Sequence, residues 1–262
     1  MPVEILIGVS LSSLIAGLAY IKHSLVLSGL IASVILGTIL YAFGGILLWS
    51  ILIAFFISSS LLTKLHEKKE KDLKNGRNYI QVISNGLVAA IFSILFYVFN
   101  VEIFFIAAVS AIAASNSDTW ASEIGILSNG KTRSVTNFKE VTKGVSGGIS
   151  GFGTLASIIG AIFIGLIFAL LYIITTEIQI QTILFYAIVI SISGVLGCFV
   201  DSYLGALVQA KYRGIDTNII TEKKSLPNEE VILNSGLAWI NNDTVNFLSS
   251  LTASLFALLF FI

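Results

Sequence analysis

Charged residues are scarce in this chain: Asp, Glu, Lys and Arg make up 11% of its 262 residues, and hydrophobic residues make up 56%. Soluble domains carry about 25% charged residues, so the composition excludes a soluble globular protein and indicates an integral membrane protein. The single cysteine, Cys198, excludes an internal disulfide. The two histidines, His23 and His66, are too few for a histidine-rich zinc site.

The N-terminal stretch lacks the features of a secretory signal peptide. Met1–Tyr20 has no basic segment at its start and no clear small-residue cleavage site. We therefore expect this stretch to be retained as a membrane span. The formal net charge is zero, so the charges become informative only when they are placed along the chain.

Apolar stretches of about 20 residues can cross about 30 Å of hydrocarbon as helices. Eight such stretches predict an all-α polytopic membrane protein, with about eight transmembrane helices in one integral membrane domain over residues 1–262. Gly44-Gly45 and Asn100-Val101-Glu102 are expected to form tight turns between helices. The predicted spans are Val3–Ile21, Leu25–Phe43, Gly45–Leu62, Tyr79–Phe99, Val101–Ala121, Phe152–Thr175, Thr182–Leu207 and Asp243–Ile262.

All fifteen Lys and Arg residues fall in alternate loops between these spans. Alternate loops share one side of the membrane, and the positive-inside rule assigns that side to the cytoplasm. We expect cytoplasmic loops at about 63–78, 122–151 and 208–242, with both termini outside a prokaryotic cell membrane. Val231–Ile240 is the uncertain part of this topology, because it could instead dip into the membrane.

Polar residues enter the fifth predicted span before it ends, in the stretch Ala114–Ile126. At about 100° per residue, two carboxylates, one amide and three hydroxyls share an arc of about 160° on a helix. Lipid tails cannot solvate such a face, so we expect it to meet other helices or a water-filled cavity. The alternative is a helix end that frays into solvent. The residues of this face are Ser115, Asn116, Asp118, Thr119, Ser122 and Glu123.

Further polar residues lie at the same predicted depth. Asp201 lies near the cytoplasmic end of the seventh span, in a four-residue repeat with Gly197, Gly205 and Gln209 that could also be a packing seam. The eighth span opens with Asp243 and Asn246, where an acidic residue can simply cap a helix. Asn85 lies one to two turns inside the fourth span, and Arg77 precedes it at the end of a mixed-charge run that could contact anionic lipid head groups.

Small residues recur in Lys143–Gly153, which leads into the sixth span. The stretch is not a Walker motif, because its lysine precedes the glycines. Helix packing alone can explain the spacing, but backbone amides and cations near a helix start also suit a phosphate group. The candidate phosphate-binding residues are Arg133, which precedes this stretch, and, within it, Lys143, Gly144, Ser146, Gly147 and Gly148.

Four carboxylates with amide neighbours at one depth suit oxygen-ligated Mg²⁺. Phosphoryl transfer needs a metal, cations that hold phosphates, and alignment of nucleophile and leaving group. A transporter or channel for a lipid phosphate or an ion needs polar groups through the full membrane depth. Here the polar groups stop partway, which favours an enzyme. The four carboxylates are Asp118, Glu123, Asp201 and Asp243.

At these residues the chain resembles the integral membrane family that includes the plant phytyl-phosphate kinases of tocopherol synthesis. The resemblance extends from about Lys22 to the C-terminus, and Ser117–Glu123 is its most specific block. Val145 departs from the family pattern, in which a threonine is expected. The matching blocks are Arg77–Gly86, Asn116–Gly125, Gly144–Ser150, Asp201–Gln209 and Trp239–Asn246.

The resemblance implies a kinase that makes an isoprenyl diphosphate from the monophosphate, with Mg²⁺ and a nucleoside triphosphate, CTP being favoured. It implies catalytic roles for Asp118 and Asp201. Expected partners are the isoprenyl monophosphate and membrane lipids, with no nucleic acid. We expect the isoprenyl tail to lie between spans, near the glycine stripe Gly197–Gly205. Chain length, nucleotide base and oligomeric state stay open. A CTP-dependent nucleotidyltransferase acting on a lipid phosphate would use the same residues. Metal roles are implied for Asp118, Glu123, Asp201 and Asp243, and nucleotide or phosphate contacts for Asn85, Asn116 and Asn246. Arg77 joins the candidate phosphate contacts because it lies close to Asn85 in the sequence.

Overall fold

The computed structural model describes residues 1–70, 76–127, 130–226 and 229–262, and gives side chains for all of these but 66–70. Helices account for most of the described chain. They are α1 (Pro2–Ile21), α2 (Leu27–Glu70), α3 (Tyr79–Phe99), α4 (Glu102–Leu127), α5 (Gly151–Thr175), α6 (Ile180–Leu207) and α7 (Asn242–Leu258), which ends in a 3-10 turn, Leu259–Phe261.

Among the described residues, six helices are long and apolar enough to cross a membrane: α1, α2, α3, α5, α6 and α7. The remaining helix, α4, carries too many polar side chains in its second half to meet that criterion. The helical membrane architecture predicted from the sequence is confirmed. Each of the eight predicted spans corresponds to one helix or, in α2, to one arm of a bent helix.

Helix α2 bends at Gly45, whose φ of 71° suits glycine. Residues on both sides of the bend meet the same side chain of α1. Trp49 Nε1 donates a hydrogen bond of 3.0 Å to Ser12 Oγ, and a Cβ added at Gly37 would lie 2.4 Å from that oxygen. The two arms therefore fold back on each other, and the turn predicted at Gly44-Gly45 is present.

Helix α4 is the central helix of the bundle and packs against α2, α3, α5, α6 and α7. Every residue from Phe105 to Ser117 is buried. The helix stays regular to Leu127, so the alternative of a fraying end is wrong. Its polar second half faces other helices at Ser115–Ser117 and cavities from Asp118 onward, in line with the sequence prediction.

Short strands occupy the loops at one end of the bundle. Strands β1 (Arg133–Ser134) and β2 (Gly148–Ile149) pair antiparallel, and β3 (Lys211–Gly214) lies between β4 (Ile220–Thr221) and β5 (Val231–Ser235). The sequence did not predict these strands. Because β5 pairs its backbone with β3 and is largely exposed, the start of Val231–Ile240 is a strand and not a membrane segment.

The described Lys and Arg residues all lie at the end of the bundle where α1, α2, α4 and α6 finish and α3, α5 and α7 begin, which we call the basic end. The loop predicted at 63–78 is shorter than expected, since α2 remains helical to Glu70.

If the basic end is cytoplasmic, cysteines placed at residues 1 and 262 will react with an impermeant thiol reagent in intact cells. A cysteine at Lys139 will react only after permeabilisation. Replacing buried Cys198 by alanine removes background labelling. Labelling of position 139 in intact cells would reverse the topology.

Candidate functional site

Two polar cavities meet at the basic end. The smaller has a volume of about 240 Å³ and lies among α2, α3, α4 and α7. The larger, of about 630 Å³, lies among α4, α5, α6 and the loops that follow α4 and α6. Asp118, Gln81, Ser122 and Asn242 line both cavities. Asp118 therefore stands at the junction of the two spaces.

The smaller cavity combines both signs of charge with amides and hydroxyls. Glu123 accepts a hydrogen bond of 2.8 Å from Thr63 Oγ1, which ties α4 to α2. Among the described residues that line this cavity are His23, Thr63, Lys64, Arg77, Asn85, Asp118, Glu123, Asp243 and Asn246.

Arg77 is fixed by its backbone before α3 begins. Its N–H donates to Ser24 O at 3.0 Å, and its carbonyl accepts from Val26 N at 3.1 Å. A Cβ at Gly29 would lie 2.0 Å from that carbonyl oxygen, so only glycine permits this approach. The turn between α1 and α2 thus places the Arg77 side chain at the cavity wall.

The Arg77 guanidinium lies in a largely apolar setting, 5.9 Å from the ring centroids of both Phe55 and Phe56. Burial lowers its pKa, while the negative charge of Glu123 opposes that shift. An arginine keeps its charge through such a shift. Arg77 as a whole is half-buried, so the site holds a partly buried cation that can attract an anion.

Three polar residues at the start of α7 line the smaller cavity: Asn242, Asp243 and Asn246. Asn241 caps the helix by accepting from Thr244 N at 2.9 Å. Asn241, and not Asp243, is therefore the residue that caps α7. Asp243 lines the cavity. One turn further, Asn246 Oδ1 is buried with no hydrogen-bond partner among the described residues. Such an atom is costly unless a ligand or water satisfies it.

The larger cavity brings Asp118 and Asp201 together on one surface. Asp201 Oδ2 accepts a hydrogen bond of 3.2 Å from Ser249 Oγ on α7. A role in helix packing alone would explain this hydrogen bond. It would not explain why Asp201 also lines a cavity. Lys143 and Lys223 lie on the same cavity wall, so the space carries both carboxylates and cations.

The glycine-rich loop before β2 forms another wall of the larger cavity. Gly144 and Gly147 have φ of 80° and 83°, a conformation that favours glycine. A Cβ at Gly147 would lie 2.5 Å from Ala206 Cβ, so the loop is seated directly on α6.

One amide of this loop already has an anionic partner. Ser146 N–H donates to Glu222 Oε1 at 2.9 Å, and Lys211 Nζ donates to Ser146 O at 3.1 Å. A phosphate can therefore use this amide only if Glu222 is displaced. Gly144, Ser146, Gly147 and Gly148 all line the cavity, and phosphate binding by these residues stays a prediction.

Two predicted site residues lie elsewhere. Arg133 is exposed on β1 and lines neither polar cavity. Asn116 is fully buried: its Nδ2 donates to Gly160 O at 2.7 Å, and its Oδ1 accepts from Ser58 Oγ at 3.0 Å. These bonds join α4 to α5 and α2. Helical periodicity placed Asn116 on the polar face correctly but could not show that neighbouring helices cover it.

We expect Asn116→Ala to destabilise the protein by about 1–2 kcal/mol, because the Gly160 carbonyl loses its partner in a buried position. Thermal unfolding of the detergent-solubilised variant measures this loss. Asn234→Ala, at an exposed position in β5, is the matched control and should change nothing. A stable Asn116→Ala protein with weakened nucleotide binding would restore the phosphate-contact role.

The glycine stripe on α6 proves to be a packing surface. A Cβ at Gly197 would lie 2.5 Å from Ala114 Cβ and 3.1 Å from Ala253 Cβ. A Cβ at Gly205 would lie 3.1 Å from Ser146 Cβ. Helices and the glycine-rich loop fill the stripe, so the expectation that an isoprenyl tail lies there is wrong.

The four predicted metal ligands do not form one cage. Among the residues that the structure describes, no three His, Cys, Asp or Glu side chains are grouped closely enough to hold an ion. Glu123 and Asp243 line the smaller cavity, Asp201 lines the larger, and Asp118 lines both. Magnesium commonly takes one or two carboxylates and completes its shell with phosphate oxygens and water. Asp118 and Asp201 fit that pattern.

Sequence reasoning missed several residues that line the cavities. His23 and Lys64 border the smaller cavity, and Glu222 and Lys223 border the larger. All four lie outside the polar helix faces. Loops bring His23, Glu222 and Lys223 to the site, and the last part of α2 brings Lys64. Hydropathy and helical periodicity do not predict these placements.

Comparisons with known proteins agree with this architecture. The family described as "Integral membrane protein DUF92" matches residues 10–254. Protein PGR of Arabidopsis thaliana is 32% identical over 96% of this chain and 94% of its own length. An uncharacterised membrane protein of Methanocaldococcus jannaschii is 39% identical over 70% of this chain and 74% of its own length.

The chloroplastic protein VTE6 of Arabidopsis thaliana is more distant, at 26% identity over 88% of this chain and 64% of its own length. No solved structure matches the chain. The family match covers nearly the whole bundle and both polar cavities, and it confirms the resemblance drawn from the sequence blocks. The chain belongs to the integral membrane protein family DUF92.

Proposed function

We propose that the protein is a membrane-embedded isoprenyl-phosphate kinase, which transfers the terminal phosphoryl group of a nucleoside triphosphate to an isoprenyl monophosphate. CTP is the favoured donor. The observation that carries the proposal is the position of Asp118 at the junction of two polar cavities at the basic end. Two phosphate-bearing substrates must meet at one point, and this geometry provides that point.

The larger cavity suits the nucleotide. Its volume of about 630 Å³ lies within the range of about 300–1,000 Å³ that small-molecule sites occupy. Lys143 and Lys223 offer positive charge to the phosphates, and Gly144 and Gly148 let the backbone approach them closely. The smaller cavity, with Arg77 and Lys64, suits the acceptor phosphate.

The reaction then needs little from the protein besides placement and charge. An oxygen of the acceptor phosphate attacks the γ-phosphorus, the bond from that phosphorus to the β–γ bridging oxygen breaks, and the nucleoside diphosphate leaves with that electron pair. A phosphate monoester has a second pKa of about 6, so it is already ionised at neutral pH. No side chain has to act as a general base.

Charge repulsion is the main obstacle, because both substrates are anions. Mg²⁺ would supply charge neutralisation at the transferred phosphoryl group, and the carboxylates of Asp118 and Asp201 would hold it. Arg77 on one side and Lys143 on the other keep the two phosphate groups in place. The resemblance to the plant phytyl-phosphate kinases of tocopherol synthesis supports an isoprenyl acceptor.

A transporter of a lipid phosphate or an ion is the competing function. It needs a polar route through both membrane halves. Away from the basic end, the described part of the bundle is packed with aromatic rings, among them Phe105, Phe168 and Tyr172. The ring centroids of Phe168 and Tyr172 lie 4.4 Å apart. This packing favours an enzyme that works at one membrane surface.

Product analysis tests the proposal against the nucleotidyltransferase alternative. Purified protein is incubated with Mg²⁺, each nucleoside triphosphate and a panel of isoprenyl monophosphates. The proposal predicts nucleoside diphosphate and lipid diphosphate in equal amounts. Release of pyrophosphate with a nucleotide-linked lipid would instead establish a nucleotidyltransferase.

A further inference from the structure

An apolar crevice lies beside the smaller cavity, between α1, both arms of α2, and α3. Measured in the same way as the two polar cavities, its volume is about 60 Å³, and it reaches about 610 Å³ only when the space at its open mouth is included. Most of its wall is aliphatic or aromatic. Representative wall residues are Ala16, Leu36, Leu52, Ile53, Phe56 and Val82.

The crevice and the smaller cavity share part of their walls. Arg77, Gln81 and Asn85 line both spaces. All three belong to the start of α3 or the residues just before it. A single molecule with an anionic head and an apolar tail can therefore occupy both spaces at once, with its head at Arg77.

The crevice has a closed inner end. Ser12 and Gly37 both line it, and Trp49 binds the Ser12 hydroxyl at that level. A rise of 1.5 Å per residue from Leu27 to Gly37 gives a depth of roughly 15 Å, about half of the 30 Å hydrocarbon core. On the α3 side, a Cβ at Gly86 would lie 2.1 Å from Leu36 Cδ2, so these helices leave no gap.

We propose that this crevice holds the isoprenyl tail of the acceptor, with the acceptor phosphate at Arg77. The inference rests on the proposed function and assigns the tail to a site different from the filled glycine stripe of α6. Charge complementarity selects the ligand: the crevice offers apolar surface along its length and one half-buried guanidinium at its mouth. A closed inner end of limited depth makes binding sensitive to tail length.

Ser33→Phe tests the assignment, because half-buried Ser33 lines the crevice and a phenyl ring there would fill it. Ser13→Phe introduces the same change on an exposed position of α1 and is the matched control. We expect Ser33→Phe to raise KM for a C20 isoprenyl monophosphate about tenfold or more, with KM for a C5 monophosphate nearly unchanged. Ser13→Phe should leave both values as in the wild type.

Photo-crosslinking of the wild-type protein gives a second readout that does not need turnover. A C20 monophosphate with a diazirine near its tail end should label peptides that contain Ile53 or Val82. If the wild-type protein shows this labelling but has no kinase activity, the proposed function is refuted and the assignment of the tail site stands. Three results would overturn the tail site. They are labelling confined to lipid-facing residues such as Ile35, labelling abolished by excess phospholipid, and equal KM values in both serine variants.

Discussion

Asp118→Asn should lower kcat for phosphate transfer by at least about 10³-fold, because it removes the charge that both polar cavities share. The substitution keeps the side-chain volume nearly constant, so the packing of α4 should survive. Among the described residues, Asp118 is the carboxylate that lines both cavities. Steady-state turnover of the reconstituted protein measures the effect.

Asp216→Asn is the matched control for this variant. Asp216 is exposed in the loop between β3 and β4, away from both polar cavities, and its replacement should leave kcat unchanged. Thermal unfolding of the two variants should agree with that of the wild type. An Asp118→Asn protein that keeps near wild-type turnover would remove Asp118 from the mechanism.

Asp201→Asn should lower kcat by about 10²–10³-fold, since it removes the second carboxylate from the larger cavity. Ser249 can still donate to the new amide oxygen, so the contact between α6 and α7 persists. If both carboxylates hold the same ion, the double variant Asp118→Asn/Asp201→Asn will be little slower than the slower single variant.

A double-mutant cycle on kcat shows whether Asp118 and Asp201 hold the same ion or act independently. Ser249→Ala is the control for the hydrogen bond alone, and we expect it to change kcat only several-fold. Fully multiplicative losses in the double variant would show that Asp118 and Asp201 act on different groups, which contradicts a shared metal.

Hydropathy and charge placement predicted most of the architecture, because both depend on residues close together in the chain. The polar face of α4, the turn at Gly45 and the gathering of basic residues at one end all follow from such local patterns. Asp118, Asp201, Asp243 and Asn85, which the same reasoning selected as site residues, line the cavity walls, and their roles stay predictions.

Contacts between distant residues could not be predicted in this way. Glu222 reaches the amide of Ser146 across 76 residues. Asn116 lies on the predicted polar face, yet partners 44 and 58 residues away consume its hydrogen-bonding groups. A glycine repeat also looks the same in sequence whether a helix or a ligand approaches it, and on α6 it is packed against neighbours.

The most direct measurement follows the terminal phosphate itself. Reconstituted protein is given Mg²⁺, nucleoside triphosphate labelled at the γ-phosphate, and geranylgeranyl or phytyl phosphate. The account predicts that the label appears in the distal phosphate of the lipid diphosphate, that chelator stops the transfer, and that Asp118→Asn abolishes it. Label that never enters a lipid from a broad panel of monophosphates, while the same vesicles move a solute across the bilayer, would contradict the account.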